Sequence, residues 1–407
     1  MLRLKKIAAV AASLILVASV PARGADTVTV DDTARFLAGM QPSTDSPLLA
    51  LTKDPAWQHH AKFFDAAFAQ LDQRQISKIK QWADTNLAAP KPTMFYMFSG
   101  PDFLYANAFY SKATTYVMAA LEPPGAVPDL TKVPRGNVDS ALYNIEHSLS
   151  TILNFSFFIT KHMKVDLHVG QISGALPILY VFIERSGKRI KSVTPIELDD
   201  NGTVHVVGED GGRNPQHGAK IVFAGSDGAE KILYYFSTDL SNGGVKSSGF
   251  LRFCATLAPG NSLIKSASYL LHSGSFSTVR NFLLANSATI IQDDSGIPLG
   301  DYNPKKWRFF PFGRYAGPIS EFPGRYQESY AELFRRAQPM DFGIGYRWRA
   351  YESNLLLSVR TGPDEAPTAE AATATTASTD MPPPKPHPRK PKPPPLQQHG
   401  FFWFGRW

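Results

Sequence analysis

Residues 189–207, RIKSVTPIELDDNGTVHVV, carry the reading on which the fold turns. Two runs rich in β-branched residues, Arg189–Leu198 and Thr203–Val207, flank Asp200-Asn201-Gly202, whose residue types tolerate the backbone of a tight hairpin. Strands joined so closely must be antiparallel. Upstream, the apolar run Pro177–Glu184 ends at a Ser186-Gly187 turn and reads as a further strand. Downstream, beyond a Gly-rich loop from Gly208 to Gly218, Lys220–Phe223 and Lys231–Phe236 form a second hairpin across Ser226-Asp227-Gly228.

Helices and buried strands surround this centre. Asp54 followed by Pro55 is a cap and first-turn signature, and Phe64, Phe68, Leu71, Ile76, Ile79 and Trp82 continue an apolar stripe. A long helix or helical hairpin is expected over Asp54–Leu87, ended by Pro90 and Pro92. Met94–Phe98 and Thr115–Leu121 read as buried strands. Leu142, Ile145, Leu149, Ile152 and Leu153 predict a second helix, capped by Asn137 or Asp139. Further helices are expected around Phe250–Leu257, over Ser277–Asn286 and over Arg325–Arg336. Strands and helices come in blocks rather than strict alternation. The expected class is therefore α+β (mixed α/β), a single domain over 52–360 with a largely antiparallel sheet and flanking helices. Residues 25–51 read as an irregular segment with one short helix at Asp32–Ala38.

The two ends read differently from the body. Arg3, Lys5 and Lys6 precede an uncharged apolar run, Ile7–Val20, which at 14 residues falls short of the roughly 20 needed to span a bilayer. Residues 1–24 are expected to be a signal peptide cleaved after Ala22 or Gly24, with the mature chain exported to the periplasm or beyond and without a transmembrane segment. From Thr361 the composition collapses into Ala, Thr, Pro and Lys, which cannot bury enough apolar surface to order itself. Residues 361–407 are thus expected to be a disordered, Pro-rich basic tail. It ends in Phe401, Phe402, Trp403, Phe404 and Trp407, a cluster suited to peripheral contact with an anionic membrane or envelope polymer.

Composition limits function. The net charge is +7, but with the four basic residues of 1–24 and the five basic and four acidic residues beyond Arg360 set aside, 33 basic face 31 acidic residues. Such a balance provides no basic face for nucleic acid. The single cysteine, Cys254, excludes an intramolecular disulfide and is expected as a buried, inert thiol on a helix.

Enzyme motifs are absent or at chance level. Ser262–Lys265 and Ser77–Lys80 match Ser-x-x-Lys, in which a lysine one helical turn from a serine could take its proton. A pattern that fixes two positions recurs by chance in a chain of this length, and no Lys-Thr-Gly partner exists. His162, Asp166 and His168 bring metal-capable groups close in sequence, though without the tighter spacing of zinc sites. Asp199, Asp200 and Asn201 are explained by a turn. The strongest candidates lie just after apolar strands, where α/β sites assemble: Asp102 and Tyr105 in 99-SGPDFLY-105, and Asp293 and Asp294 in 292-QDDSGIP-298. Paired carboxylates at strand ends could share a proton or hold a cation.

These two segments, with 121-LEPPG-125 and 265-KSASY-269, resemble blocks of uncharacterised exported bacterial proteins. The resemblance spans about Met94–Arg360 and implies no activity, cofactor or site residue. Two functions follow from the sequence: a non-catalytic envelope protein binding a ligand or partner without a cofactor, and an acid-base or metal-assisted hydrolase using Asp102, Tyr105, Asp293 and Asp294. Convergence of those four side chains in a concave pocket would favour the hydrolase.

Overall fold

The computed structural model describes residues 28–157, 167, 172–207 and 216–362. Residues 1–24, read as a signal peptide, the expected tail beyond Gly362, and His162, Asp166 and His168 lie outside them. Among the described residues ten strands form one sheet: β1 Thr93–Tyr96, β2 Thr115–Ala120, β3 Arg189–Leu198, β4 Val204–Val206, β5 Gln216–Ala224, β6 Glu230–Ser237, β7 Gly260–Ile264, β8 Ser287–Gln292, β9 Trp307–Gly313 and β10 Asn354–Arg360. Their order is β4-β3-β5-β6-β2-β1-β7-β8-β10-β9.

The hairpin expected over residues 189–207 is present, with Leu198 opposite Val204, and β5 and β6 pair across the second turn. Five neighbouring pairs are antiparallel, so the sheet is mostly antiparallel within an α+β fold. The antiparallel pairs lie on the two flanks. Between them β6, β2, β1, β7 and β8 run parallel. Parallel strands are covered on both faces, which is why β1 and β2 read as short, unbroken apolar runs. Met94 and Tyr96 of β1 enter one core, while Phe95 and Met97 enter the core on the opposite face.

Ten α-helices among the described residues cover the sheet: α1 Val30–Leu37, α2 Pro55–Leu71, α3 Ser77–Asn86, α4 Phe103–Phe109, α5 Arg135–Phe155, α6 Leu176–Arg185, α7 Asn242–Lys246, α8 Phe250–Thr256, α9 Ser277–Asn286 and α10 Glu328–Phe334. The Asp54 carboxylate accepts from the Ala56 amide 2.9 Å away, as its cap position requires. The expected long helix over 54–87 is α2 and α3 joined by a π-helical turn, Asp72–Ile76. Cys254 is fully buried on α8, where loss of solvation raises its pKa well above the usual thiol value.

Several expectations are corrected. Pro177–Glu184 is not a strand but most of α6. Every residue of 176–184 is buried, so the run lacks the polar face that gives a helix its period, and Pro177 sits in the first turn. The cap of α5 is Pro134, ahead of Asn137 and Asp139. The short helix expected at Asp32–Ala38 is present as α1, whose Phe36 and Leu37 are fully buried against the helical core. Strands β7, β9 and β10 and the crossover helix α4 carried no sequence signal that separated them from loops.

Candidate functional site

The chain leaves β1, passes through α4 to β2 and moves outward on that side, then returns to place β7 on the other flank of β1. The strand order therefore reverses between β1 and β7. In open α/β sheets the crevice outside the carboxyl ends of the strands at such a reversal is the usual ligand position. Three loops meet there, following β1, β7 and β8.

Asp102 ends the first loop and caps α4, accepting from the Tyr105 amide at 3.2 Å. Its other oxygen lies 2.9 Å from Lys265 Nζ, the first residue beyond β7, and accepts from Tyr96 OH at 2.9 Å. This ion pair is almost entirely removed from solvent, the two side chains being 2% and 1% exposed. Lys265 also donates to the Ser156 carbonyl and lies 3.9 Å from the centre of the Tyr105 ring. Tyr105 OH in turn donates to Gln75 of the π-turn, whose amide nitrogen donates to the Gly343 and Trp348 carbonyls. Burial raises the Asp102 pKa, opposed by Lys265 and by the Tyr96 hydroxyl.

The acidic pair follows β8. Asp293 accepts from the Ser266 amide at 2.9 Å on one oxygen, and from the Ser295 amide at 3.0 Å and the Ser295 hydroxyl on the other. Asp294 accepts from Tyr269 OH and, at 2.9 Å, from the Asn354 amide. Burial, then the neighbouring Asp294 carboxylate, push Asp293 up to about 7. Burial raises Asp294 as well.

The loop after β7 is held in an unusual conformation. Ser266, Ser268 and Tyr269 all have left-handed backbones, at φ 53°, 50° and 55°. Each costs on the order of 1 kcal/mol and persists only where the surroundings enforce it. Here Asp293 and Ser295 grip the Ser266 and Ala267 amides, and Tyr346 OH donates to the Ser266 carbonyl. Gly345, at φ +65°, lies against the Asp293 carboxylate so closely that a Cβ would occupy the place of its oxygen. Gly345→Ala is expected to lower the unfolding free energy by about 2 kcal/mol in a denaturant titration, through positive-φ strain and displacement of Asp293.

The structure thus brings Asp102, Tyr105, Asp293 and Asp294 to one end of the sheet, but into a closed cluster rather than an open pocket. Two clefts among the described residues lie elsewhere, and neither is lined by any of the four. Lys265 is the member of the cluster that sequence reasoning assigned to a different chemistry. The Ser-x-x-Lys reading needs a helix, whereas Ser262 lies on β7, where odd spacing sends side chains to opposite faces. Ser262 Oγ pairs with Ser287 Oγ at 2.7 Å instead. Ser77 is on a helix, but its hydroxyl donates to Asp72. Asp199 caps a turn, accepting from the Asn201 and Thr203 amides.

Among the described residues no group of three or more metal-capable side chains occurs, and no helix is long and apolar enough to cross a membrane. Comparison with protein-family models, with curated proteins and with solved structures finds no match to this chain.

Proposed function

We propose that this is an exported bacterial envelope protein that binds a ligand or partner without chemical turnover. On this reading the buried acids build the strand-end edge rather than perform chemistry there. The observation that carries it is engagement under burial: Asp102, Asp293 and Asp294 are all buried, and each of their carboxylate oxygens accepts at least one hydrogen bond from within the protein. A general base needs a lone pair directed at substrate, and a nucleophile needs access. Export to the periplasm or beyond, and contact of the basic aromatic tail with an anionic surface, belong to the same proposal. They rest on the signal-like residues 1–24 and on the composition of 361–407.

The raised pKa of Asp293 favours a second reading, acid-base hydrolysis, because a carboxyl titrating near neutrality can both give and take a proton. One experiment separates the two. Exported protein, whose N-terminus should be Arg23 or Ala25, is assayed against p-nitrophenyl esters, phosphates and glycosides. No turnover above buffer is expected. Turnover that vanishes in a folded Asp293→Asn variant would replace the binding reading with the hydrolase.

A further inference from the structure

The N-terminal end of α1 is fastened to the body through a pair of carboxyl groups. Asp31, in the first turn of α1, and Glu184, near the end of α6, both accept from the amide of Ile190 on β3, at 3.1 and 3.3 Å. Two carboxyl groups drawn to one amide come within reach of each other, and here they hydrogen-bond directly. Ionised carboxylates only accept, so that bond needs a proton between them. Glu184 is 1% exposed, and its Oε2 has no hydrogen-bond partner, with Arg35 of α1 standing 3.7 Å away. Asp31 in turn accepts from Arg189 of β3, 3.1 Å from Nε.

The other charged groups around Glu184 are engaged elsewhere. Asp32 of α1 accepts from the Ser43 amide at 2.7 Å, and Arg185, next along α6, lies 2.6 Å from Asp65. His60 of α2 lies 2.7 Å from Glu146 of α5, and α4 carries no charged residue. Burial, then Asp31, push Glu184 up to about 8 against the pull of Arg35. The C-terminal end of α1 is held differently: Trp57 Nε1 donates to the Phe36 carbonyl at 3.0 Å, Arg185 Nε to the Ala38 carbonyl at 2.8 Å, and His60 Nε2 lies 2.9 Å from the Leu37 carbonyl.

We propose that α1 is a proton-operated clasp: one proton shared by Glu184 and Asp31 closes its N-terminal end on α6 and β3, and loss of that proton lets this end lift about the pinned C-terminal end. Lifting uncovers Ile190, which shares a core with Val30 and Ala34 of α1. It also parts the two carboxyl groups and wets Glu184, which returns toward an ordinary carboxyl value. The closed state therefore holds a proton that the lifted state releases. Closure is complete in acid and weakens by up to about ten-fold per pH unit until the closed-state value near 8 is passed. The clasp is independent of what the protein binds.

Hydrogen–deuterium exchange of the full exported chain at pH 6 and pH 8, each rate corrected for the intrinsic pH dependence of exchange, tests it. Protection of a peptide covering residues 28–38 is expected to fall at least about ten-fold between the two, with β2 more protected than α1 at both. In Glu184→Gln the amide can accept from Ile190 and donate to Asp31 with no proton to lose, so the fall is expected to be at least about five-fold smaller. Asp31, 14% exposed at the end of its helix, provides a second variant if the first does not fold. The amide of Asp31→Asn donates to ionised Glu184, and the fall should shrink likewise. Any contribution of His60 is common to the proteins compared. A smaller fall in the wild type, an undiminished fall in the variant, or exchange of α1 and β2 together overturns the proposal.

Discussion

Lys265→Met should lower the unfolding free energy by about 3–5 kcal/mol at pH 8, the cost of leaving a buried carboxylate without its counter-charge. Asp102 cannot turn to water: it is 1% exposed, caps α4 and is held by Tyr96. Its escape is to take up a proton, which burial already favours. The loss should therefore shrink as the pH is lowered toward 5. Adding Asp102→Asn to Lys265→Met removes the charge but retains the cap, since an asparagine oxygen can still accept from the Tyr105 amide. The double variant is expected to recover to within about 1–2 kcal/mol of the wild type, as replaced buried pairs commonly do. Chemical denaturation of the wild type and the two variants reads these differences. A Lys265→Met protein within about 1 kcal/mol of the wild type at pH 8 would show that the pair is not the closed clamp described above.

The two ends of this clamp were unequally legible in the sequence. Asp102 is legible because an apolar run, a Gly-Pro turn and an acid in succession mark the exit from a strand, and β1 does end ahead of it. Lys265 was hidden because Gly260–Ile264 is five residues long and begins with glycine and asparagine, too short and too polar to reveal its period. Without β7 the parallel centre of the sheet could not be inferred, nor could the reversal of strand order that brings Lys265 to Asp102. The hairpins were legible for the opposite reason: β3 and β4 are joined by a turn whose side chains, Asp199 above all, bind the backbone locally. Pro177–Glu184 failed because burial on every side erases the polar face that distinguishes a helix. What is encoded within about ten residues could be read directly, whereas partners 152–163 positions apart, such as Tyr110 with Ser262 or Asp102 with Lys265, could not.

The acidic pair gives the stability a pH dependence opposite to that of most carboxylates. An unfolded aspartate loses its proton near 3.9, but burial and mutual repulsion raise both Asp293 and Asp294 in the folded protein. Between the two values the folded state holds more protons than the unfolded state, so stability falls as the pH rises. The contribution is complete below about 4 and is lost as the pH passes through the folded value near neutrality, at roughly 1.4 kcal/mol per pH unit for one retained proton. Three other buried groups also shift on folding. Burial raises Asp102, and burial and Asp31 raise Glu184 to about 8, both of which add to the fall, while burial and Arg325 lower His272 to about 4, which opposes it. Comparing the wild type with Asp294→Asn cancels all three, because each is present in either protein. The substituted amide keeps an oxygen for Tyr269 and removes the charge that repels Asp293. The stability of Asp294→Asn relative to the wild type should accordingly rise by about 1.4 kcal/mol or more from pH 5 to pH 8, measured by urea unfolding at constant ionic strength. A difference that stays flat across that range would mean that Asp293 and Asp294 are both ionised in the folded protein and do not share a proton.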